Sequence, residues 1–168
     1  SGSADEAAKN FEYVRHIAYS LGTDLQTSAE GFAKITIAAK NSGMTLEDSK
    51  HIFLAALEAS RAFGLNAENQ EGILKAFTQM LSKGKIGMEE LNGQLGDRAP
   101  IAITAMAKAI GKTTPELMKL MENGKLSSKE VLKLATVIRE MARAGGALDA
   151  STSSVQASTD RLVLKWPE

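Results

Sequence analysis

The sequence predicts an all-α fold, a multi-helix bundle or array of about seven to nine short to medium helices joined by turns of Gly, Ser, Thr and Pro. Apolar residues recur at helical spacing, most clearly at Ile73, Leu74, Phe77, Met80 and Leu81. Capping residues and glycines separate such stretches along the chain. No segment shows sustained period-two alternation with β-branched residues, so we expect essentially no sheet.

Four helices are expected in the first half of the chain, over residues 5–21, 24–41, 45–63 and 66–83. Thr45 begins the third helix with a capping box, because its hydroxyl can accept from the N–H of Asp48 while that carboxylate reaches back. Gly64 is expected in the left-handed C-cap position, and Asn66 should cap the next helix. The other rows predicted to be buried are Phe11, Val14, Ile17, Ala18 and Leu21; Ser28, Phe32, Ile35 and Ala39; and Ile52, Phe53, Ala56, Leu57 and Phe63.

Shorter helices are expected in the second half, over residues 88–95, 99–110, 114–123 and 127–144. Pro100 fits a first helical turn, where its missing N–H is harmless. Thr114 is the expected cap of the following helix, with Pro115 at its first position. Ser127 and Glu130 form a second predicted capping box. The rows predicted to be buried in this half are Leu117, Leu120 and Met121, and then Val131, Leu134, Ala135, Ile138, Met141 and Ala142.

The length of the chain favours one folding unit. Residues 1–3 have neither a basic start nor an apolar run and have the composition of an expression scar. Residues 4–148 are predicted to form the helical domain. Residues 149–168 are predicted to be a Ser/Thr-rich linker followed by a possible truncated helix that contains Val155, Leu162 and Trp166.

The composition argues against several classes of function. Lys plus Arg is 20 and Asp plus Glu is 20, and the resulting zero net charge disfavours a dedicated binder of nucleic acid or of membrane surfaces. No cysteine is present, so neither a disulfide framework nor a thiolate metal site is available. No stretch reaches the roughly 18 apolar residues that a membrane span needs.

No group of residues suggests catalysis, a cofactor or a metal. Gly111-Lys112-Thr113 resembles the end of a phosphate-binding loop but follows a predicted helix instead of a strand. His16 and His51 lie on different predicted helices without a second ligand nearby, so solvated or interfacial positions are expected. Glu89 and Glu90 are adjacent and should point to different sides of a helix, so they do not form an acid–base pair by themselves.

Two turns of the sequence repeat one pattern, an apolar pair, a short polar step, Gly-Lys and an apolar residue. They span residues 80–86 and 120–126. The repeat suggests two related helix–turn–helix units. Two unrelated glycine C-caps, each followed by an anchoring apolar residue, explain the pattern equally well.

The segment from Gln79 to Pro100 closely resembles the signature of tail tape measure proteins of long-tailed bacteriophages and prophages. The similarity extends from about Gly43 to Leu134 and departs at Ile101, where glycine is expected. The residues that carry the motif, which we expect to be structural, are Ser82, Lys83, Gly84, Lys85, Glu89, Glu90, Leu91, Gly93, Gln94, Leu95, Gly96, Asp97, Arg98 and Pro100.

The resemblance implies a structural domain excised from a much longer helical protein, whose total length sets the length of the tail. The implied partners are other tape measure chains, tail tube proteins or tail assembly chaperone proteins. The implied locations are the lumen of the virion tail and, during assembly, the host bacterial cytoplasm. We expect no enzyme activity, small-molecule substrate, cofactor, metal, specific nucleic acid or membrane span in this fragment.

Two other interpretations of the sequence remain open. One is a generic helical adaptor or DNA-contacting module, for which steeply salt-dependent DNA binding would be the sign. The other is a wall-degrading enzyme domain, which would need a cleft holding a glutamate with a perturbed pKa. The sequence offers no candidate carboxylate pair for the second of these.

Overall fold

The all-α prediction is confirmed in the computed structural model, which describes residues 2–144. No strand occurs within that range, where the single β-type pairing is an isolated antiparallel bridge between Lys85 and Ser127. Gly145, Gly146 and the predicted linker and last helix of residues 149–168 lie outside the described residues. The elements are α1 (Gly2–Leu21), α2 (Leu25–Asn41), α3 (Leu46–Ala62), α4 (Ala67–Lys83), a π-helical segment (Glu89–Leu95), α5 (Ala102–Ala109), α6 (Thr114–Glu122), a 3-10 turn (Ser128–Glu130) and α7 (Val131–Arg143).

Two of the predicted caps are confirmed, at the starts of α3 and α4. The capping box of Thr45 and Asp48 is present, with N–H to oxygen distances of 3.1 and 3.0 Å. Asn66 caps α4 as expected, because its side chain accepts from the N–H of Asn69. Gly64 and Gly84 both take the left-handed conformation, with φ of 63° and 75°. These local signals therefore fix the ends of α3 and α4.

In the second half, the predicted cap Thr114 is wrong, and the cap at Ser127 is confirmed without its predicted box. Thr113, one residue before the expected Thr114, caps α6 and forms a capping box with Glu116, which leaves Pro115 in the first turn. Ser127 accepts from the N–H of Lys129 without a reciprocal bond from Glu130, because the chain begins there with a 3-10 turn. A capping oxygen accepts from the N–H two or three residues ahead, and Ser127 takes the first of these.

The start of α5 is also later than predicted. The helix begins at Ala102, and Pro100 and Ile101 lie in the turns that precede it. The backbone of Ala99 is held to Leu95 at 2.8 Å, and that of Ala102 to Ala99 at 3.0 Å. This run of tight turns after the π-helical segment takes up the residues that were expected to form the first helical turn.

α3 is the central helix of the bundle, packed against α1, α2, α4 and α7. Its apolar row from Ile52 to Leu57 is fully buried, as predicted. On one side, Phe53 meets Phe32 of α2 edge to face with ring centroids 4.9 Å apart, and Tyr13 of α1 lies 5.5 Å from Phe32. These three rings join α1, α2 and α3 into one apolar contact.

The most extensive helix pairing is that of α3 with α7, which run parallel to each other. Glu58, only 5% exposed, accepts bonds from two guanidinium groups of α7. Its distances are 3.1 and 3.2 Å to nitrogens of Arg139, and 3.2 and 2.7 Å to nitrogens of Arg143. Because this carboxylate is removed from water, the two ion pairs compensate for a large desolvation cost.

Some residues predicted to be core are exposed. Phe11 is 48% exposed, because α1 contacts only α2 and α3 within the described residues and its opposite side remains uncovered. Phe63 is 38% exposed, since it is the C-cap residue of α3 and lies past the last turn that the other helices cover. Ile17, Leu120 and Met141 are partly buried. The remaining predicted core positions are buried.

We predict that Glu58→Ala lowers the free energy of unfolding by about 3 kcal/mol, because it leaves Arg139 without its carboxylate in a largely buried site. The matched control is Glu47→Ala on the same helix, which removes an 82% exposed partner of Lys50 and should cost less than about 1 kcal/mol. Urea unfolding followed by circular dichroism measures both. Equal losses in the two variants would contradict the prediction.

Candidate functional site

The motif of residues 79–100 folds back on α4 as a hairpin. Gly84 ends α4 in the left-handed conformation, and the chain then reverses into the π-helical segment. Contacts close the hairpin at both ends: Glu90 meets Lys83 near the turn, and Arg98 reaches Asn69 near the start of α4. Leu91 and Leu95 are fully buried between these ends. The motif therefore covers one side of α4.

Glu90 and Lys83 form the tie nearest the turn. The carboxylate of Glu90 is only 1% exposed, and its Oε2 lies 2.6 Å from the Nζ of Lys83. This hydrogen bond raises the pKa of Lys83 above its ordinary value. Glu89 is exposed and lies 3.6 Å from the same ammonium. The two glutamates thus differ in environment, although both contact the same lysine.

Arg98 forms the tie at the far end. Its Nε donates to the side-chain oxygen of Asn69 at 3.1 Å, and its NH1 donates to the backbone oxygen of Gln94 at 2.7 Å. The guanidinium lies over Gly72 of α4, where an added Cβ would stand 2.3 Å from the Cζ of Arg98. A glycine on α4 therefore makes the space that this motif arginine occupies.

The two glycines of the motif break have different surroundings. A Cβ at Gly96 would lie 2.3 Å from the backbone oxygen of Asn92, so the tight backbone there leaves no room for a side chain. A Cβ at Gly93 would meet no other atom within 4 Å. Close backbone approach explains the first glycine. Nothing in the structure explains the second.

The two turns that share a sequence pattern lie side by side. The N–H of Ile86 donates to the oxygen of Leu126 at 2.8 Å, and the N–H of Ser128 donates to the oxygen of Gly84 at 3.1 Å. Ile86 and Leu126 are both buried. These bonds join the end of α4 to the start of α7, and no sequence signal indicated that the two turns would pair.

The remaining motif residues lie at the surface, namely Ser82, Lys85, Asp97 and Pro100. Ile101, where the resemblance departs from the family, is 58% exposed. The motif thus combines a buried bracing part with an outward-facing part. Only the first has a structural explanation in contacts between described residues.

The other candidate groups lie on different elements. Gly111, with φ of 71°, follows the end of α5 as a turn glycine. His16 is exposed on α1, whereas His51 lies at the contact of α3 and α7. Over residues 2–144 no cluster of three or more His, Cys, Asp or Glu residues could hold a metal ion. No helix in the described part of the chain is both long and apolar enough to cross a membrane.

The polar network between α3 and α7 is absent from the sequence-based predictions. It joins His51 and Glu58 of α3 to Arg139 and Arg143 of α7. The bonded residues are 81 to 88 positions apart in the sequence. The sequence offered one indication of this network, because Arg139 and Arg143 are four residues apart and therefore lie on one side of a helix. Their common partner could not be identified from spacing, because it lies on a distant helix.

Comparison with known proteins gives a consistent result. The family described as tape measure protein matches residues 1–167. The chain is 32% identical over 92% of its length to a probable tape measure protein of Salmonella phage Felix O1. It is 24% identical over 83% of its length to a probable tape measure protein of Lactococcus phage p2, and 22% identical over 88% to a tape measure protein of Lactococcus phage F4-1.

The chain spans only part of these relatives. It covers 21% of the Salmonella phage protein, 14% of the phage p2 protein and 40% of the phage F4-1 protein. No solved structure matches the chain significantly. The family match is broader than the resemblance over residues 43–134, since it includes α1, α2 and the residues after α7.

We predict that Gly72 and Arg98 are energetically coupled. In the wild-type background, Gly72→Ala gains helix propensity of about 1 kcal/mol but displaces the guanidinium, whose bonds contribute a similar amount. In an Arg98→Ala background, Gly72→Ala should give the gain in helix propensity without any loss of bonds. Urea unfolding of the four proteins should therefore show Gly72→Ala to be more favourable, by about 1 kcal/mol, when Arg98 is absent.

The control for this cycle is Gly93→Ala, because its added Cβ would meet nothing within 4 Å. Its effect should be the same with and without Arg98. If Gly72→Ala also has equal effects in both backgrounds, the close approach of Arg98 to Gly72 does not matter for stability and the prediction is wrong.

Proposed function

The chain belongs to the tape measure protein family, and from this premise we propose that it is a structural domain that contributes to tail assembly and to tail-length determination through contacts between helices. The observation that carries the proposal is the family match over residues 1–167. The bundle supports it, because its buried polar groups serve to join helices. We propose a structural and not an enzymatic role on the same ground.

We propose that the length-setting part of this function depends on the total length of the longer protein, to which this domain contributes. A helix rises about 1.5 Å per residue, so a measuring segment needs extended helix. In this domain the helices are folded against one another, with α3 at the centre. We therefore propose that residues 4–148 act as a compact domain at one point of a longer chain, with residues 149–168 as its connection.

The motif hairpin has a separate proposed role within the domain. Its ties at Lys83 and Arg98 hold the π-helical segment on α4, and the paired turns hold α4 to the start of α7. We propose that the buried part is structural. The outward-facing residues of the hairpin, and the neighbouring Ile101, are then available for contacts with other proteins.

The proposed partners are those that the resemblance implies: other tape measure chains, tail tube proteins and tail assembly chaperone proteins. This proposal is supported by the names of the relatives, which are tape measure proteins of phages. We propose the lumen of the virion tail as the final location of this chain and the host bacterial cytoplasm as its location during assembly.

The test is a pair of deletions in the phage gene for the full-length protein. Deleting residues 43–134 should block tail assembly or give malformed tails, because it removes α3, α4 and the motif hairpin. Deleting an equal number of residues outside this domain should only shorten tails, by about 1.5 Å per residue removed. Electron microscopy of negatively stained particles measures both outcomes.

Normal tails of unchanged length after deletion of residues 43–134 would contradict the proposal. Tails that are merely shortened, to the same extent as in the control deletion, would show that this segment contributes length but no assembly contact. A muralytic activity of the purified domain would favour the enzyme interpretation over both.

A further inference from the structure

His51 lies where α3 meets α7, and both of its ring nitrogens face side chains of α7. Its Nδ1 lies 3.0 Å from NH1 of Arg139, and its Nε2 lies 2.9 Å from Oγ1 of Thr136. The same guanidinium of Arg139 also donates to Glu58. The ring is thus part of the network that attaches α7 to the central helix α3. Of the helices in the described residues, α7 is the most amphipathic.

The chemistry of the neighbours fixes the protonation state of this ring. A guanidinium can only donate, so Nδ1 of His51 must accept from Arg139 and carries no proton. The proton of the neutral ring is therefore on Nε2, which donates to Oγ1 of Thr136. The hydroxyl of Thr136 in turn donates to the backbone oxygen of Leu132 at 3.1 Å. Every donor in this chain of bonds then has an acceptor.

The surrounding charges give an imidazolium little compensation. From α7, Arg139 faces the ring directly and repels a positive charge, whereas the backbone oxygen of Leu132 favours one. From α3, Glu58 and Asp48 also favour one, but Glu58 already accepts from two guanidinium groups of α7. From α1, Tyr13 faces the same cluster, and because burial raises its pKa to about 12, it stays neutral at neutral and acidic pH.

We propose that His51 is an acid-sensitive latch between α3 and α7. Neutral His51 accepts from Arg139 and donates to Thr136, which fastens the middle of α7 to the central helix. Protonation places a hydrogen on Nδ1, removes the bond from Arg139 and brings two cations to about 3 Å from each other. The Glu58 ion pairs remain, so α7 is loosened while the rest of the bundle stays folded.

The sign of the pH dependence follows from the direction of the pKa shift. Burial, and then the charge of Arg139, lower the pKa of His51 below its ordinary value of 6.5. As pH falls through 6.5, the unfolded chain therefore takes up this proton before the folded chain does. The stability contributed by neutral His51 is present above that pH and is lost as pH falls through the folded pKa.

The first test is a titration of the two histidines by NMR. At neutral pH the nitrogen shifts of His51 should show the tautomer protonated on Nε2, and its titration midpoint should lie below 6.5. A tautomer protonated on Nδ1, or a midpoint at or above that value, would overturn the proposal. This measurement uses the wild-type protein and does not depend on whether a variant folds.

The second test compares urea midpoints at about pH 7.5 and about pH 5.0 for the wild type and His51→Gln. Glutamine offers both an acceptor and a donor but does not titrate. The fall in midpoint between the two pH values should be smaller in His51→Gln than in the wild type. Equal falls in the two proteins would overturn the proposal.

A third measurement separates local loosening of α7 from global unfolding. The chain has no cysteine, so Val137→Cys, at a buried position of α7, introduces a single thiol. We compare its rate of reaction with a disulfide reagent with that of Lys34→Cys, at an exposed position of α2. The ratio of the two rates should be severalfold higher at about pH 5.0 than at about pH 7.5. Adding His51→Gln should abolish the rise. A rise that persists in that background would contradict the latch.

Discussion

Close approach to α3 is the constraint on which the rest of the bundle depends. Small side chains allow neighbouring helices to pack closely against a central helix, and Ala55, Ala56 and Ala59 of α3 are fully buried. Such residues remove little apolar surface from water, so each helix pair gains less than a Leu-rich pair would. Phe53, a larger side chain of α3, packs where α1 and α2 meet this helix, against Tyr13 and Phe32.

A core of this kind leaves polar groups to determine how the helices align. Glu58 accepts from two arginines of α7 that stand one turn apart. If α7 shifted by one turn, at least one guanidinium would lose the carboxylate, and a buried charge with fewer partners is costly. On another side of the bundle, buried Gln70 of α4 accepts from the N–H of Asp24 and donates to Ser28 of α2. In both places a hydrogen-bonded side chain fixes which turns of two helices face each other.

The motif that carries the family resemblance follows the same principle on α4. Its charged residues meet α4 at two points, and its two leucines fill the space between them. The small residue in this case is Gly72, which lies under the arginine. The π-helical geometry of this segment is of the type that often marks functional positions. In this chain it places a braced surface, with Ile101 at its end, on the outside of the bundle.

The sequence by itself determined the fold class, most helix ends and most of the buried rows, because capping and helical periodicity depend on residues within one turn of each other. Thr45, Asn66 and Gly84 are examples. It also determined the family, through the motif of residues 79–100. Only the tertiary structure decided that Phe11 stays exposed, that the turns at Gly84 and Gly124 pair, and that His51, Glu58, Arg139 and Arg143 meet. Each of these depends on which helix covers which, and that is set by the sum of many weak contacts between residues far apart in the chain.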